Sequence, residues 1–163
     1  MAAITYVPEK PEHAAEIEAV LSRAFGPGRF VKSSERVRER GAMHEPSLSR
    51  VALEQGAVRG VCRIWRVRAG VTFHFLGPLA VDPAAQHAGV GAALVEACVE
   101  AVRAIGGAGV VLVGAEPFFR PLGFSLVPEG RLTLPGPFDP QRLLWRELAR
   151  NGLASAQGQI SAP

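Results

Sequence analysis

The chain is poor in the residues that most often mark special chemistry. Of its 163 residues only two are cysteines and one is a tyrosine, and aromatics make up 7%. Cys62 and Cys98 have no companions at metal-ligand spacing. They read as reduced, buried thiols behaving as small hydrophobes, and no metal is expected. Lysine stands only at Lys10 and Lys32, so the net charge of +3 and the pI near 9.4 come almost wholly from arginine. Such a mild excess suits a nucleic-acid surface or a cleft for an anionic ligand equally well. No basic run with interleaved aromatics and no known nucleic-acid motif is present, however, so no nucleic-acid partner is expected. Arg59, Arg63, Arg66 and Arg68 divide between the two faces of one strand by alternation and make no single stripe. No apolar run approaches membrane-spanning length. Met1-Ala2-Ala3-Ile4-Thr5 lacks the basic flank and apolar centre of a signal peptide. The expectation is a cytoplasmic protein with no membrane partner. No internal repeat is visible, and the 18 glycines and 13 prolines are spread as punctuation between short elements.

What is present is a hydrophobic content of 48%, enough for one substantial core and too little chain for two. Residues 1–153 are expected to form that domain. Ile4 to Val7 is a short β-type run. Apolar residues at Ala15, Ile17, Val20, Leu21 and Phe25 have helical spacing, and Gly26-Pro27-Gly28 stops them. Ser33-Ser34-Glu35 offers an N-cap for a short helix through Arg40. Ser49 to Gln55, Ala57 to Arg68 and Val71 to Val81 read as three antiparallel strands joined at Gln55-Gly56 and Ala69-Gly70. Val90, Leu94, Ala97, Cys98, Ala101, Val102 and Ile105 then fall on one stripe of a helix running from about Gly89 to Ile105, ended by Gly106-Gly107. Val110 to Val113 is a continuous apolar run, as suits a strand covered on both faces and parallel to its neighbour. A short helix at 117–122 and a strand near 123–127 follow. Gln141 to Arg150 is expected to be helical, and Ala154 to Pro163 to be a flexible tail with no core to join.

The segment from Leu76 to Gly91 carries the chemical signal. A strand ends at Val81, a helix opens at Gly89, and the loop between has glycines where backbone must approach a ligand closely. Unpaired N–H groups and the helix dipole converge on the same spot, which makes an anion site suited to a pyrophosphate. Gly89 and Gly91 taken alone are equally compatible with a tight turn. Pro78 in mid-strand removes a ladder donor and belongs at a bulge or an edge.

Gln86-His87-Ala88-Gly89-Val90-Gly91, following Val81-Asp82-Pro83, resembles the acetyl-CoA signature of the GNAT superfamily of N-acetyltransferases. Gly106-Gly107, Val110 to Val113, Gly114 to Phe119 and Leu122-Gly123-Phe124 follow in the family's order, so the resemblance spans about residues 4–127. It implies an α/β (α+β) fold: a mixed, mostly antiparallel sheet of about six to seven strands, splayed between the fourth and fifth and flanked by helices. It also implies acetyl-CoA as cosubstrate. The backbone of Gln86, His87, Ala88, Gly89, Val90, Gly91 and Ala92 would hold the pyrophosphate. Leu79, Ala80 and Val81 would pair with the pantetheine arm, and Gly114, Phe118 and Phe119 would lie near the CoA.

Acetyl transfer to an amine needs a neutral amine, a polarised carbonyl and a proton for the thiolate. Many relatives supply that proton from a tyrosine on the short helix, where this chain has Phe118 and Phe119. The alternatives are water, the amine itself, Ser125, or a weak or inactive relative that keeps acetyl-CoA as a sensor. His74, on the fourth predicted strand, is the candidate base because imidazole ionises near neutrality, with a structural histidine as the competing reading. Glu116 is a second candidate base or a turn-solvating carboxylate. His87 is placed to reach a phosphate, while His13 and His44 carry no signal. A Rossmann-type alternative fails because Leu94 stands where the last glycine of its fingerprint belongs. The amine acceptor is not written in the residues; a homodimer is carried as an open expectation.

Overall fold

A computed structural model describes residues 3–26, 37–38 and 40–163. The Ser33-Ser34-Glu35 cap lies outside these residues. Strand β1 (Ile4–Pro8) leads into α1 (Ala14–Phe25), which buries Ile17, Val20 and Leu21 and stops at Gly26 with φ 65°. A two-residue strand β2 (Met43–His44) then precedes β3 (Arg50–Glu54), β4 (Ala57–Ala69) and β5 (Val71–Val81). Gln55 and Gly56, at φ 50° and 80°, join β3 to β4; two successive positive φ angles match the right-handed twist of a hairpin. Helix α2 (Val90–Ala104) crosses back to β6 (Gly109–Val113), followed by the short α3 (Glu116–Phe119) and by β7 (Ser125–Leu126), β8 (Leu132–Thr133), β9 (Leu143–Glu147) and β10 (Gly158–Gln159).

The main sheet runs β1-β3-β4-β5-β6-β9-β7, with β2 on β4. Among the described residues only β5 and β6 are parallel within it, as the helical crossover requires. The mixed, mostly antiparallel sheet implied by the sequence is therefore present. On one face α2 buries Val90, Leu94, Val95, Cys98, Val99 and Val102 against Cys62, Ile64, Leu76 and Leu112. A Cβ on Gly60 would stand 2.9 Å from Leu94 Cδ1 and 3.1 Å from the Ala80 carbonyl, so glycine sets how closely α2 approaches β4. The other face carries two apolar clusters. One joins α1 to Val51, Val58, Val61 and Ala80; the second joins Val67, Phe73, Phe75 and Val111 to the C-terminal segment.

Two expectations are corrected. Residues 141–150 are not a helix. A 3-10 turn at Pro140–Arg142 leads into β9, which fills the place between β6 and β7. Leu144 faces the α2 side while Leu143 and Trp145 face the other, a period of two. Leu, Arg and Glu favour helix in isolation, but pairing with two strands overrides that preference. Residues 154–163 do find a core. Ala156 and Ile160 are fully buried, β10 pairs with β8 in parallel, and Ser161 bridges Arg68.

Candidate active site

Sheet geometry opens a slot. Between β5 and β6, the ladder of described residues holds His74↔Val110 and Phe75↔Val111 and then ends. On the other side of β5, Cys62 faces Leu79 and Ile64 faces Leu76, so Gly77 and Pro78 together oppose Arg63. That is a bulge at Pro78, as its missing N–H suggested. Trp65 Nε1 donates to the Gly77 carbonyl at 2.6 Å, tying the bulge to β4. Asp82 N donates to the Arg59 carbonyl at 2.7 Å and Ala80 pairs with Val61. In an antiparallel ladder alternate residues point to opposite strands, so Leu79 directs its N–H and C=O toward the side that β6 has left. An extended ligand can pair there as an added strand.

At the outer end of the slot a turn leads into the start of a helix, the candidate anion cradle. Asp82 accepts from Ala84 N at 3.0 Å through Oδ1 and from Arg23 at 2.8 Å through Oδ2. The backbone donor at Ala84, helped by Arg23, holds its carboxyl below the ordinary value despite burial. This anchors a 3-10 turn over Pro83–Ala88. Gly89 follows in the left-handed region (φ 70°, ψ 19°), and α2 starts at Val90 with no side-chain cap. Val90, Gly91 and Ala92 stand in its first turn, where N–H groups have no partner inside the helix. Gln86, His87 and Ala88 share the turn's backbone; their side chains lie outside the described residues.

Phe118 is 44% exposed and caps the cradle: a Cβ on Gly91 would lie 3.5 Å from its ring and 3.7 Å from Val81. Phe119 turns inward and packs edge-on against Phe118 and Phe124, with centroids 4.8 and 5.8 Å apart. A Cβ on Gly114 would collide with the Phe119 ring, so that glycine answers to packing. Neither phenyl ring can donate a proton.

The candidate acid–base residues are not gathered together. His74 is buried on the α2 face within the closed part of the ladder, and its Nδ1 has no hydrogen-bond partner. Burial lowers its pKa, opposed by Glu45 and assisted by Arg66. Glu116 opens α3 and pairs with Arg120 at 2.9 Å. Ser125 lies exposed on the edge strand β7, with β9 between it and β6.

A polar cluster unmarked in the sequence lies on the α1 face, between the two apolar clusters. Glu9, just past β1, accepts from Arg63 at 3.1 and 3.2 Å and stands 3.2 Å from His44 Nε2. Burial pushes the Glu9 carboxyl up, but the hydrogen bonds from His44 and Arg63 outweigh it and leave the pKa lowered. The His44 ring lies 4.9 Å from that of Trp65, the same tryptophan that holds the Gly77 carbonyl. Among the described residues no group of three or more His, Cys, Asp or Glu is placed to hold a metal, and no helix is long and apolar enough to cross a membrane.

Comparison with known proteins agrees with this geometry. The model of the acetyltransferase (GNAT) family matches residues 12–124. No curated protein matches the chain. A GNAT-family N-acetyltransferase from Escherichia coli, solved in complex with CoA, is 27% identical with a TM-score of 0.79, covering 98% of this chain and 88% of that one. A GNAT-family acetyltransferase from Brucella melitensis, solved with acetyl-CoA, is 29% identical with a TM-score of 0.65, covering 88% and 96%. The ribosomal-protein-S18-alanine N-acetyltransferase of E. coli, at 19% identity and TM-score 0.64 over 90% and 95%, shares the fold.

Proposed function

This chain belongs to the GNAT acetyltransferase family, and we propose that it is a cytoplasmic N-acetyltransferase moving the acetyl group of acetyl-CoA to a primary amine by direct attack in a ternary complex. The observation that carries the reading is the conjunction of bulge and cradle. One strand, β5, loses its β6 partner after Phe75 and is followed by a 3-10 turn whose last step, a left-handed Gly89, delivers the start of α2. The exposed backbone of Leu79 suits the pantetheine amides, and the first-turn N–H groups at Val90 to Ala92 suit the pyrophosphate. A backbone N–H near Leu79 to Val81 would polarise the thioester carbonyl. The amine lone pair forms the C–N bond, the C–S bond breaks, and the electron pair leaves on sulfur. With phenylalanine at positions 118 and 119, the thiolate takes its proton from solvent or from the attacking nitrogen, which is cationic once the C–N bond has formed.

The test is calorimetry of acetyl-CoA binding together with thiol release on adding amines. The amines are butylamine, benzylamine, spermidine, and peptides carrying a free alanine terminus or a lysine. Binding and thiol release are expected for the parent. Gly89→Glu, which sets a carboxylate against the phosphates, is expected to abolish both. Tight binding with no thiol release from any amine would instead favour a sensor that keeps the slot, the reading that the two phenylalanines support.

A further inference from the structure

Resting on the acetyltransferase reading, we propose that His44, held by Glu9, accepts a proton of the incoming ammonium on the α1 face of the sheet. The slot has two faces. α2 covers one of them, packing from Val90 to Val102 onto β4, β5 and β6, so an acceptor reaches the splay from the other. That face is apolar around α1 and again under the C-terminal segment. Between these clusters β4 presents Arg63 and Trp65, and the bulge at Gly77-Pro78 lies directly across from Arg63. Directly opposed residues of an antiparallel pair share a face, and His44 opposes Trp65. Trp65 thus stands beside the bulge where the thioester would sit, and His44 lies against Trp65 one strand further out.

The hydrogen bonds fix the tautomer. The Ser49 hydroxyl donates to the Glu45 carbonyl at 2.9 Å and accepts from Ile64 N at 2.9 Å. Its oxygen therefore meets His44 Nε2, 3.4 Å away, as an acceptor, and the Glu9 carboxylate at 3.2 Å is an acceptor too. Both partners place the proton on Nε2, which leaves the lone pair on Nδ1. Arg63 balances the charge of Glu9 by a two-pronged contact, so the carboxylate orients the ring without being free to take the proton itself. Arg38 lies 6.0 Å from the Trp65 ring on the same side. The His44 side chain is 26% exposed, the Glu9 side chain 9%: the ring meets solvent and its anchor does not.

Two strand spacings, about 10 Å, separate β2 from β5. The proton therefore passes to Nδ1 as the ammonium enters along Trp65, or through a bridging water, before the neutral amine attacks. The ammonium gives one proton to Nδ1; the neutral amine forms its bond to the acetyl carbon, and as the C–S bond breaks the second proton passes from that nitrogen to the leaving thiolate, directly or through water, while the imidazolium returns the first to solvent.

The experiment uses the full chain, acetyl-CoA and the amines named above, with thiol release as the readout across pH 6 to 9. His44→Gln is expected to lower kcat/KM for the amine about 100-fold, at the low end of general-base effects, with the KM for acetyl-CoA within twofold of the parent. Glu9→Gln, acting through the ring, is expected to lose less than His44→Gln and to leave the KM for acetyl-CoA unchanged. His44→Gly supplemented with imidazole is expected to recover at least tenfold, a rescue that a purely structural histidine would not show. Parental rates in His44→Gln, or a loss in His44→Gly that imidazole does not restore, overturn the assignment while leaving the enzyme intact. A parent that binds acetyl-CoA and acetylates none of the amines fails the enzymatic reading itself, and this inference falls with it.

Discussion

The two glycines of the cradle should behave oppositely when each receives a methyl group. Gly89 sits at φ 70°, and a Cβ there would find nothing within 4 Å. Its glycine is needed for backbone conformation, and an L-residue there costs about 1–2 kcal/mol. Gly91 has ordinary helical φ, and its Cβ would make normal contacts at 3.5 Å to Phe118 and 3.7 Å to Val81. Nothing among the described residues requires glycine at that position. Replacing a helical glycine by alanine gains about 0.5–1 kcal/mol, and for a domain of this size each kcal/mol moves Tm by about 2–4 °C. Gly91→Ala should therefore raise Tm by about 1–4 °C, and Gly89→Ala should lower it by about 2–8 °C. Thermal unfolding by circular dichroism, run without acetyl-CoA, reads both. The signature that this loop resembles admits alanine at the second position, so Gly91→Ala should keep acetyl-CoA affinity within about threefold, or about 0.7 kcal/mol. Gly91→Leu, whose branches must displace the half-exposed Phe118 ring, should weaken it at least tenfold. A destabilised Gly91→Ala protein would show that the contact geometry is wrong; an Ala variant unable to bind would put the pyrophosphate closer to Gly91 than to Gly89.

Three shorter predictions follow. Asp82→Ala should cost about 1–2 kcal/mol, as for a lost cap, and should weaken acetyl-CoA binding by loosening the turn at 83–88, measured by urea unfolding and calorimetry. Because the folded pKa of Asp82 is depressed, its contribution is complete above the unfolded value and disappears as pH falls through the folded one; Asp82→Asn should therefore flatten the acid side of the stability curve. Ile160→Ala should cost about 2–4 kcal/mol because Ile160 is fully buried, and deletion of 154–163 should cost more; an unchanged Tm in both would return that segment to the status of a tail. His74→Ala should lower Tm, and on a true acceptor its turnover should fall no more than the lost stability explains, whereas a base at that position would cost about 100-fold or more in rate at unchanged Tm.

The parts of the fold that were legible are those whose signal is local. Strands β3, β4 and β5 announce themselves by β-branched runs between turn residues, α2 by its stripe from Val90 to Val102, and the bulge by a proline where a ladder needs a donor. The failures share a cause of the opposite kind. Residues 143–147 read as a helix because Leu, Arg and Glu carry helical propensity, and their true period of two became decisive only with β6 on one side and β7 on the other. Ile160 is one apolar residue among small polar ones, and its burial depends on β8, a two-residue strand with no pattern of its own. The signature points to one strand end, loop and helix start because these are contiguous in the chain. It could not locate the acceptor side, because that side is assembled by register. Glu9 reaches Arg63 across 54 positions of sequence, and His44 becomes notable only once β2 sets it against Trp65. Each of those residues alone is an ordinary surface charge or a lone histidine. A donor site that would bind through backbone can be written in one short motif, whereas the proposed acceptor side, built from side chains of separate segments, has to be read from the sheet.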